Sequence, residues 1–386
     1  MMSRQEKFDL AIVGAGIVGL AHALAVVRRG LSVVVIDRDA QANGASVRNF
    51  GFITVSGQER GQVWRRAMRS RDIWLEVAGP AGIDIVQRGA VVVARRPEAR
   101  AVVESFLQTE MGEGCKLLEA NALNRDYPGL AGQDFAGGLW SPHEVRVESR
   151  QAIPLLAAFL AERHGVEFRR ETAVRSVEPP DIETSRGTVH AGKVIVCPGH
   201  DLATLYPDRI ARYAVTRCKL QMMRLADPGF RLPVSVMSDL GLARYAGYAA
   251  LPEAVALRRR LEAEQRDALD NGVHLIVVQS ADGTLVVGDS HHYAATPDPF
   301  ASERVDEIIL DEFSAVFGGP VPRVLERWTG IYASASDRTM FADAPHEDVR
   351  LVMITSGTGA STSFAIAEEV VEELFGASTA ETMKIA

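Results

Sequence analysis

Glycines at 14, 16 and 19, followed by an acid at 37, are the residues whose spacing points most directly to chemistry. They lie in FDLAIVGAGIVGLAHALAVVRRGLSVVVID, Phe8 to Asp37, which reads as an apolar strand, a glycine turn, a helix and a second strand. Gly14 lets the chain turn sharply out of the strand, Gly16 leaves room for a pyrophosphate, and Gly19 lets the helix pack closely on the sheet. The helix opens at about Ile17, so its unpaired amides and positive dipole end face the phosphates. Asp37 stands at the spacing of about 20 residues that places an acid on a ribose hydroxyl, with Arg38 beside it. The pattern predicts a dinucleotide site, and by itself it serves NAD and FAD equally.

The far end of the chain favours FAD. In RLVMITSGTGASTSFAIAEEVVEELF, a strand from about Arg350 to Thr355 runs into a loop at Gly357 and Gly359 and then a helix. Phe364, Ala367, Val370, Val371 and Leu374 recur at helical spacing, and Ser361 or Thr362 is suited to cap the start. Large flavoproteins that begin with the glycine fingerprint often bring their last helix to the flavin ring. Here the amides of Gly359, Ala360 and Ser361 are expected to face charge building on the flavin, as preorganised donors do elsewhere.

GAGIVG with Asp37, GASVRNFG from Gly44 to Gly51, RVESRQAIPLLAAFLAERHGVEF, VIVCPGHDLATL, WTGIYASASDR and SGTGAS follow in order. Together they resemble the D-amino acid oxidase superfamily of FAD enzymes, which includes glycine oxidase, sarcosine oxidase and D-amino acid dehydrogenase. The resemblance covers nearly the whole chain. Its first piece is shared by many flavoproteins, and the order and spacing of the rest are specific. SVRNFG, KLQMMR, GDSHHY and WTGIYAS further resemble a bacterial subgroup associated with organophosphonate use.

The resemblance implies an α/β fold of the two-domain, α+β kind. A Rossmann-like FAD-binding domain is expected at residues 1–88, 146–213 and 325–386, and a second, mainly antiparallel-sheet substrate domain at 89–145 and 214–324. Gly44, Ala45 and Ser46 are expected near the pyrophosphate, Arg48 and Asn49 near the reactive edge of the flavin, and the backbone of Val174 on the adenine. Pro198 and Gly199 would flank the cofactor, as would Gly330 and Gly357. The reaction implied is oxidation of a C–N bond by hydride transfer to the flavin, with the imine hydrolysed to a carbonyl compound. Oxygen or another acceptor would reoxidise the flavin. FAD is expected to be non-covalent, because no cysteine follows Cys218 and GASVRNFG contains no histidine.

One departure bears on the substrate. Glycine oxidase-like members carry an arginine, just after the tryptophan-glycine segment, that clamps a carboxylate. In this sequence Trp328, Thr329, Gly330 and Ile331 lead to Tyr332. Either the substrate lacks the usual carboxylate, or another cation holds its acidic group, with Arg48, Arg217, Lys219, Arg338 and the pair His291 and His292 as candidates. The expected catalytic set is Arg48, Asn49, Tyr332, His291, His292 and Arg338. The expected substrate is 2-aminoethylphosphonate or its N-methyl derivative, with glycine, sarcosine or a D-amino acid as alternatives. From other classes, a flavin monooxygenase using GDS at Gly288, a nicotinamide dehydrogenase, or a non-catalytic flavin-binding module would share the fingerprint.

Composition sets outer bounds. A net charge of -8 counts against nucleic acid or an anionic membrane as a partner. The polar start and the absence of a long apolar run predict a cytoplasmic protein with no membrane insertion. Cys115, Cys197 and Cys218 show no CxxC or metal-ligand spacing, so they are expected to be reduced and structural, with no metal site. Between the motifs, a strand is expected from Gly89, a hairpin around SADGT, and helices at Glu98–Gly112, Leu257–Asn271 and Ser302–Phe317.

Overall fold

A computed structural model describes residues 7–130 and 134–377 of the chain. The first residues of the polar start and the last residues assigned to the cofactor domain lie outside them. Two sheets organise the molecule. In the first, the strands run in the order Met340–His346, Val349–Ile354, Gly187–Val196, Lys7–Val13, Val33–Ile36, Glu167–Arg169. Lys7–Val13 pairs in parallel with Gly187–Val196 and with Val33–Ile36. Leu10, Ile12, Val34 and Val194 are fully buried, as expected where helices cover both faces of a parallel sheet. The helices Ile17–Val27, Gln62–Ala78, Ser149–His164 and Gly359–Phe375 share one apolar core with it.

The second sheet runs His292–Ala294, Thr216–Leu225, Leu285–Gly288, Ile276–Gln279, Ser235–Met237, Ile85–Ala94, Gly137–Val147, Phe52–Ile53. Its pairings are antiparallel except Ser235–Met237 on Ile85–Ala94. The expected hairpin is present, with Val277 opposite Val287 across the turn. Val324–Ser334 pairs with Thr216–Leu225 from Thr216 opposite Ser334 to Leu225 opposite Val324. The expected boundary at 325 therefore falls inside a strand of the second sheet, and residues 325–334 belong to that sheet.

Two helices differ from expectation. Leu257–Asn271 is divided into Ala254–Glu264 and Arg266–Asp270. The Gln265 amide between them accepts from Arg95 and Arg96 and donates to Glu312, and these tertiary bonds hold it out of helical geometry. The last helix begins at Gly359 with Thr358 at its N-cap, so neither Ser361 nor Thr362 caps it. Ser361 Oγ instead accepts the Thr54 amide at 2.9 Å, and Thr362 Oγ1 donates to the Thr358 carbonyl. No helix among the described residues is long and apolar enough to cross a membrane.

Candidate functional site

A cleft of about 710 Å³ lies between the two sheets. That volume is within the range of about 300–1,000 Å³ typical of ligand pockets. One end is built by the glycine turn. Gly14 adopts φ +105°, and a Cβ on it would come 2.4 Å from the Cys197 carbonyl oxygen. A Cβ on Gly19 would lie 1.9 Å from the Gly14 carbonyl oxygen, so strand, turn and helix can be this close only with glycine at both positions. A Cβ on Gly16 would meet Ser46 Oγ at 2.9 Å. Ser46 Oγ in turn accepts the Ile17 amide at 2.9 Å and ties the segment Gly44–Ser46 across the start of the helix. The remaining amides of that first turn have no partner within the helix, which suits a phosphate.

Asp37 borders the cleft at the end of its strand, but its carboxylate also holds the backbone. Oδ2 accepts the Ala15 amide at 2.6 Å and Oδ1 the Asp39 amide at 2.9 Å. Each oxygen keeps a second lone pair for a ligand hydroxyl. Arg38, Val174, Pro198 and Gly199 line the same end, with Arg38 paired to Asp201 at 2.8 Å. Gly330, Gly357, Gly359, Ala360 and Ser361 also line the cleft, and a Cβ on Gly359 would lie 3.6 Å from Ile17 Cγ2. The Ser361 amide donates to the Thr358 carbonyl at 3.0 Å, so Gly359 and Ala360 remain as donors at that helix start.

Of the expected reactive residues, Arg48, Asn49, Tyr332 and His291 border the cleft. Asn49 is occupied within its own turn: Nδ2 donates to the Ala45 carbonyl, and Oδ1 accepts from the Gly51 amide and Ser149 Oγ. Arg48 donates to Asn43 Oδ1 at 3.0 Å, and its charge, with those of Arg217 and Arg38, adds to the burial that lowers the pKa of His200. Arg48 Nη1 also donates to the Thr329 carbonyl at 3.4 Å, beside Gly330.

Arg338 and His292 are not at the cleft. Arg338 pairs with Asp337 and lies over the Tyr213 ring at 5.1 Å, because the chain has already turned toward the first sheet at Ala335. His292 begins a strand, so its side chain points opposite to that of His291 and reaches Asn271 Oδ1 at 3.1 Å. Arg217 is bonded to the carbonyls of His200 and Ala295, and Lys219 to Asp298 and the Phe300 carbonyl. None of these four reaches the cleft.

A further cation that borders it, besides Arg48 and Arg38, is Arg244, in the short loop after the 3₁₀ turn Gly241–Ala243. It donates to the Tyr293 hydroxyl at 3.0 Å and has no ion pair among the described residues. Arg244 is exposed. Tyr332 and Tyr245 lie nearby, and burial raises both hydroxyl pKa values, so each remains a neutral donor. Cys218 is buried beside Tyr332, its thiol pushed up to about 11, and all three cysteines are free.

Beneath Arg244 is a buried polar group that joins the expected His291 to two residues sequence reasoning did not place at the site, His274 and Asp289. His274 Nδ1 lies 3.5 Å from Asp289 Oδ1, and its Nε2 is 3.1 Å from the Tyr245 hydroxyl. His291 Nε2 lies 3.8 Å from Asp289 Oδ2, and its Nδ1 is 2.9 Å from the Gly272 carbonyl oxygen. Asp289 Oδ1 and His274 Nδ1 have no hydrogen-bond partner. Burial, and then the charge of Arg244, lower both histidine pKa values well below the usual value. Burial raises Asp289 to about 7, against the pull of Arg244. The three donor atoms lie within 4.8 Å of one another, but the Arg244 charge beside them counts against a metal cation there. Arg244 gave no sequence signal, being one arginine in a loop without periodicity. Asp289 was visible as the acid of GDS, but in that motif it read as part of a rival cofactor site.

The sequence pattern of the family described as "FAD dependent oxidoreductase" (DAO) matches residues 9–373. Among curated proteins, the chain is 28% identical over 234 residues to the bifunctional protein ThiO/ThiG of Nostoc sp., covering 57% of this chain and 34% of that protein. It is 26% identical over 200 residues to monomeric sarcosine oxidase of Bacillus sp., covering 50% and 51%. The matches thus span about a third to a half of these relatives' lengths. One of the polypeptides of opine oxidase from Rhizobium meliloti is 24% identical over 86% of this chain and 83% of its own. Among solved structures, glycine oxidase from Bacillus cereus superposes with a TM-score of 0.76 at 16% identity, covering 97% and 96% of the two chains. L-proline dehydrogenase from P. horikoshii also gives 0.76, at 19% identity over 95% and 93%. L-alpha-glycerophosphate oxidase from Mycoplasma pneumoniae, a structure with FAD bound, gives 0.74 at 15% over 98% of each chain. With the glycine turn, the second helix start and the two-sheet cleft all in place, this chain belongs to the DAO family of FAD-dependent oxidoreductases, and FAD is its cofactor.

Proposed function

We propose that the protein oxidises the C–N bond of a small amine bearing an acidic group, and that Arg244 holds that group. The observation that carries this reading is a guanidinium facing the cleft with no carboxylate paired to it among the described residues. A guanidinium in that position is suited to an anion on the ligand, since a charge-assisted, bidentate contact is stronger than one to a neutral group. The Tyr332 hydroxyl at the cleft adds a neutral donor, while that of Tyr245 is engaged with His274 Nε2 at 3.1 Å. FAD, when bound, supplies the oxidant by accepting a hydride from the carbon next to nitrogen. What the chain supplies is orientation of the amine, exclusion of water and a place for its proton.

Within that class, 2-aminoethylphosphonate or its N-methyl derivative is the substrate we favour. Tyr332 stands where related oxidases carry a carboxylate-clamping arginine, and SVRNFG, KLQMMR, GDSHHY and WTGIYAS resemble a phosphonate-associated subgroup. A phosphonate has three oxygens and up to two charges for Arg244 and Tyr332 to share. The test is a steady-state comparison of both phosphonates with glycine, sarcosine and D-alanine on wild type and Arg244→Ala. Removing one member of a buried charge pair is expected to cost about 2 to 5 kcal/mol in binding of the acidic substrate. Simple amines without an acidic group should lose much less. Preference of the wild type for glycine, sarcosine or D-alanine would return the protein to ordinary amino-acid oxidation.

A further inference from the structure

Building on the amine-oxidation reading, we infer that Asp289 is the group that takes the proton from the substrate's ammonium, its carboxyl lying at the cleft wall beside the neutral rings of His274 and His291. An amine enters from water as an ammonium ion, and its nitrogen lone pair must be free before the adjacent carbon can give up a hydride. In the step inferred, an N–H bond of the ammonium breaks, its electron pair stays on nitrogen, and an O–H bond forms on the Asp289 carboxylate. The product is a neutral amine beside a neutral carboxylic acid, so no net charge is left buried.

Three observations point to Asp289. It borders the cleft, it is 6% exposed, and its Oδ1 has no hydrogen-bond partner. Oδ1 lies 3.5 Å from His274 Nδ1, and a buried carboxylate oxygen without a donor is costly, which favours taking a proton onto the carboxyl. The charged and titratable groups facing it are Arg244 and Tyr245 from one loop, His274 and His291 from the ends of the hairpin strands, and Tyr332 and Cys218 from the long paired strands. Of these only Arg244 carries charge near neutral pH, because burial keeps both histidines neutral and the tyrosine and cysteine protons in place. No other carboxylate faces the ammonium among them. Burial also leaves the Asp289 carboxyl poised at about 7, where a base both exists as the anion and holds a proton well. Arg244 and Asp289 together offer one charge of each sign, which matches a zwitterionic amine.

The experiment uses the holoenzyme and two readouts. In anaerobic mixing, flavin reduction by the preferred amine should rise with pH through about 7 in wild type. In Asp289→Asn it should be about 10² to 10⁴-fold slower near neutrality and rise only toward the amine's own, much higher pKa. The second readout needs no turnover. 2-Amino-2-methylpropylphosphonate and 2-aminoisobutyrate have no hydrogen on the carbon that bears nitrogen, so they bind without reacting. Desolvation in the cleft is expected to lower the bound amine's pKa below that of the carboxyl, so at about pH 8.5 infrared difference spectra should show the carbonyl band of a neutral carboxyl appearing on binding to wild type, and no such band in Asp289→Asn. Absence of that band in wild type would overturn the inference even if the variant does not fold, as would an unchanged pH profile in a folded, flavin-bearing variant. If no amine reduces the wild-type flavin at all, it is the proposed function that fails.

Discussion

At the scale of single residues, the glycine turn and Asp37 contribute in different ways. Gly16 faces Ser46, whose hydroxyl already stitches two cofactor-lining segments together. Gly16→Val therefore displaces Ser46 and fills the space beside the helix start, and the purified protein should be colourless. Asp37→Ala removes the acceptor for two backbone amides as well as a place for the ribose. Each such charged hydrogen bond contributes about 1.5 to 3 kcal/mol, so this variant should bind FAD weakly and also melt earlier without it. Flavin content by absorbance and melting with and without FAD separate the two, and normal flavin in Gly16→Val would show the site to be misplaced. Gly14, Gly19 and Asp37 were legible because backbone geometry dictates their types. Arg244 was not, because its meaning lies in which strands, distant in sequence, close around it. The expectation for His292 and Arg338 failed for the same reason: adjacency in sequence says nothing about which face of a strand points inward.

Among the elements, the last helix is the best test of how packing places chemistry. Its start is positioned by Trp74, which is fully buried, donates from Nε1 to the Ala360 carbonyl at 2.8 Å and packs edge-on against Phe364 at 5.1 Å. Trp74→Phe keeps an aromatic ring but drops that hydrogen bond and leaves a void. A loss of about 1 to 3 kcal/mol is expected from the unpaired carbonyl and the smaller ring, together with weaker retention of FAD. Denaturant titration gives the first and equilibrium dialysis the second, and unaltered FAD affinity would mean that the helix start does not depend on Trp74. The periodic positions Phe364, Ala367, Val370, Val371 and Leu374 are all buried, so the apolar face was readable from the sequence. Its start was not. Ser361 has the chemistry of a cap, but its hydroxyl is committed to Thr54, 307 residues away in sequence. The break at Gln265 has a similar cause, since Arg95, Arg96 and Glu312 come from elements the local pattern does not show.

For the molecule as a whole, FAD should contribute binding energy across the cleft between the two sheets. A ligand present at about 100 times its dissociation constant stabilises the folded state by about 2.7 kcal/mol. Stripping the flavin should therefore lower the melting temperature, and adding FAD back should restore it in a concentration-dependent way. If attachment is non-covalent, acid precipitation must release all the yellow colour into the supernatant, and a flavin-bearing band on a denaturing gel would contradict that. The order of the large pieces could be read early because strand and helix periods are local. The membership of residues 325–334 could not, since it depends on pairing with a strand more than 100 residues earlier. That pairing also governs how a substrate gets in. The strand Val324–Ser334 lies along Thr216–Leu225 in the second sheet and then passes straight into the first, where the Ala335 amide donates to the Thr355 carbonyl and Ser334 bridges Ser356. A rotation of one sheet away from the other would have to tear this continuous rail, so the two halves cannot open like jaws. Entry and exit are left to small local parts at the rim, such as the exposed ring of Tyr293 that meets Arg244. Traffic through the site is then set by side-chain and loop motions, which are fast compared with whole-domain swings.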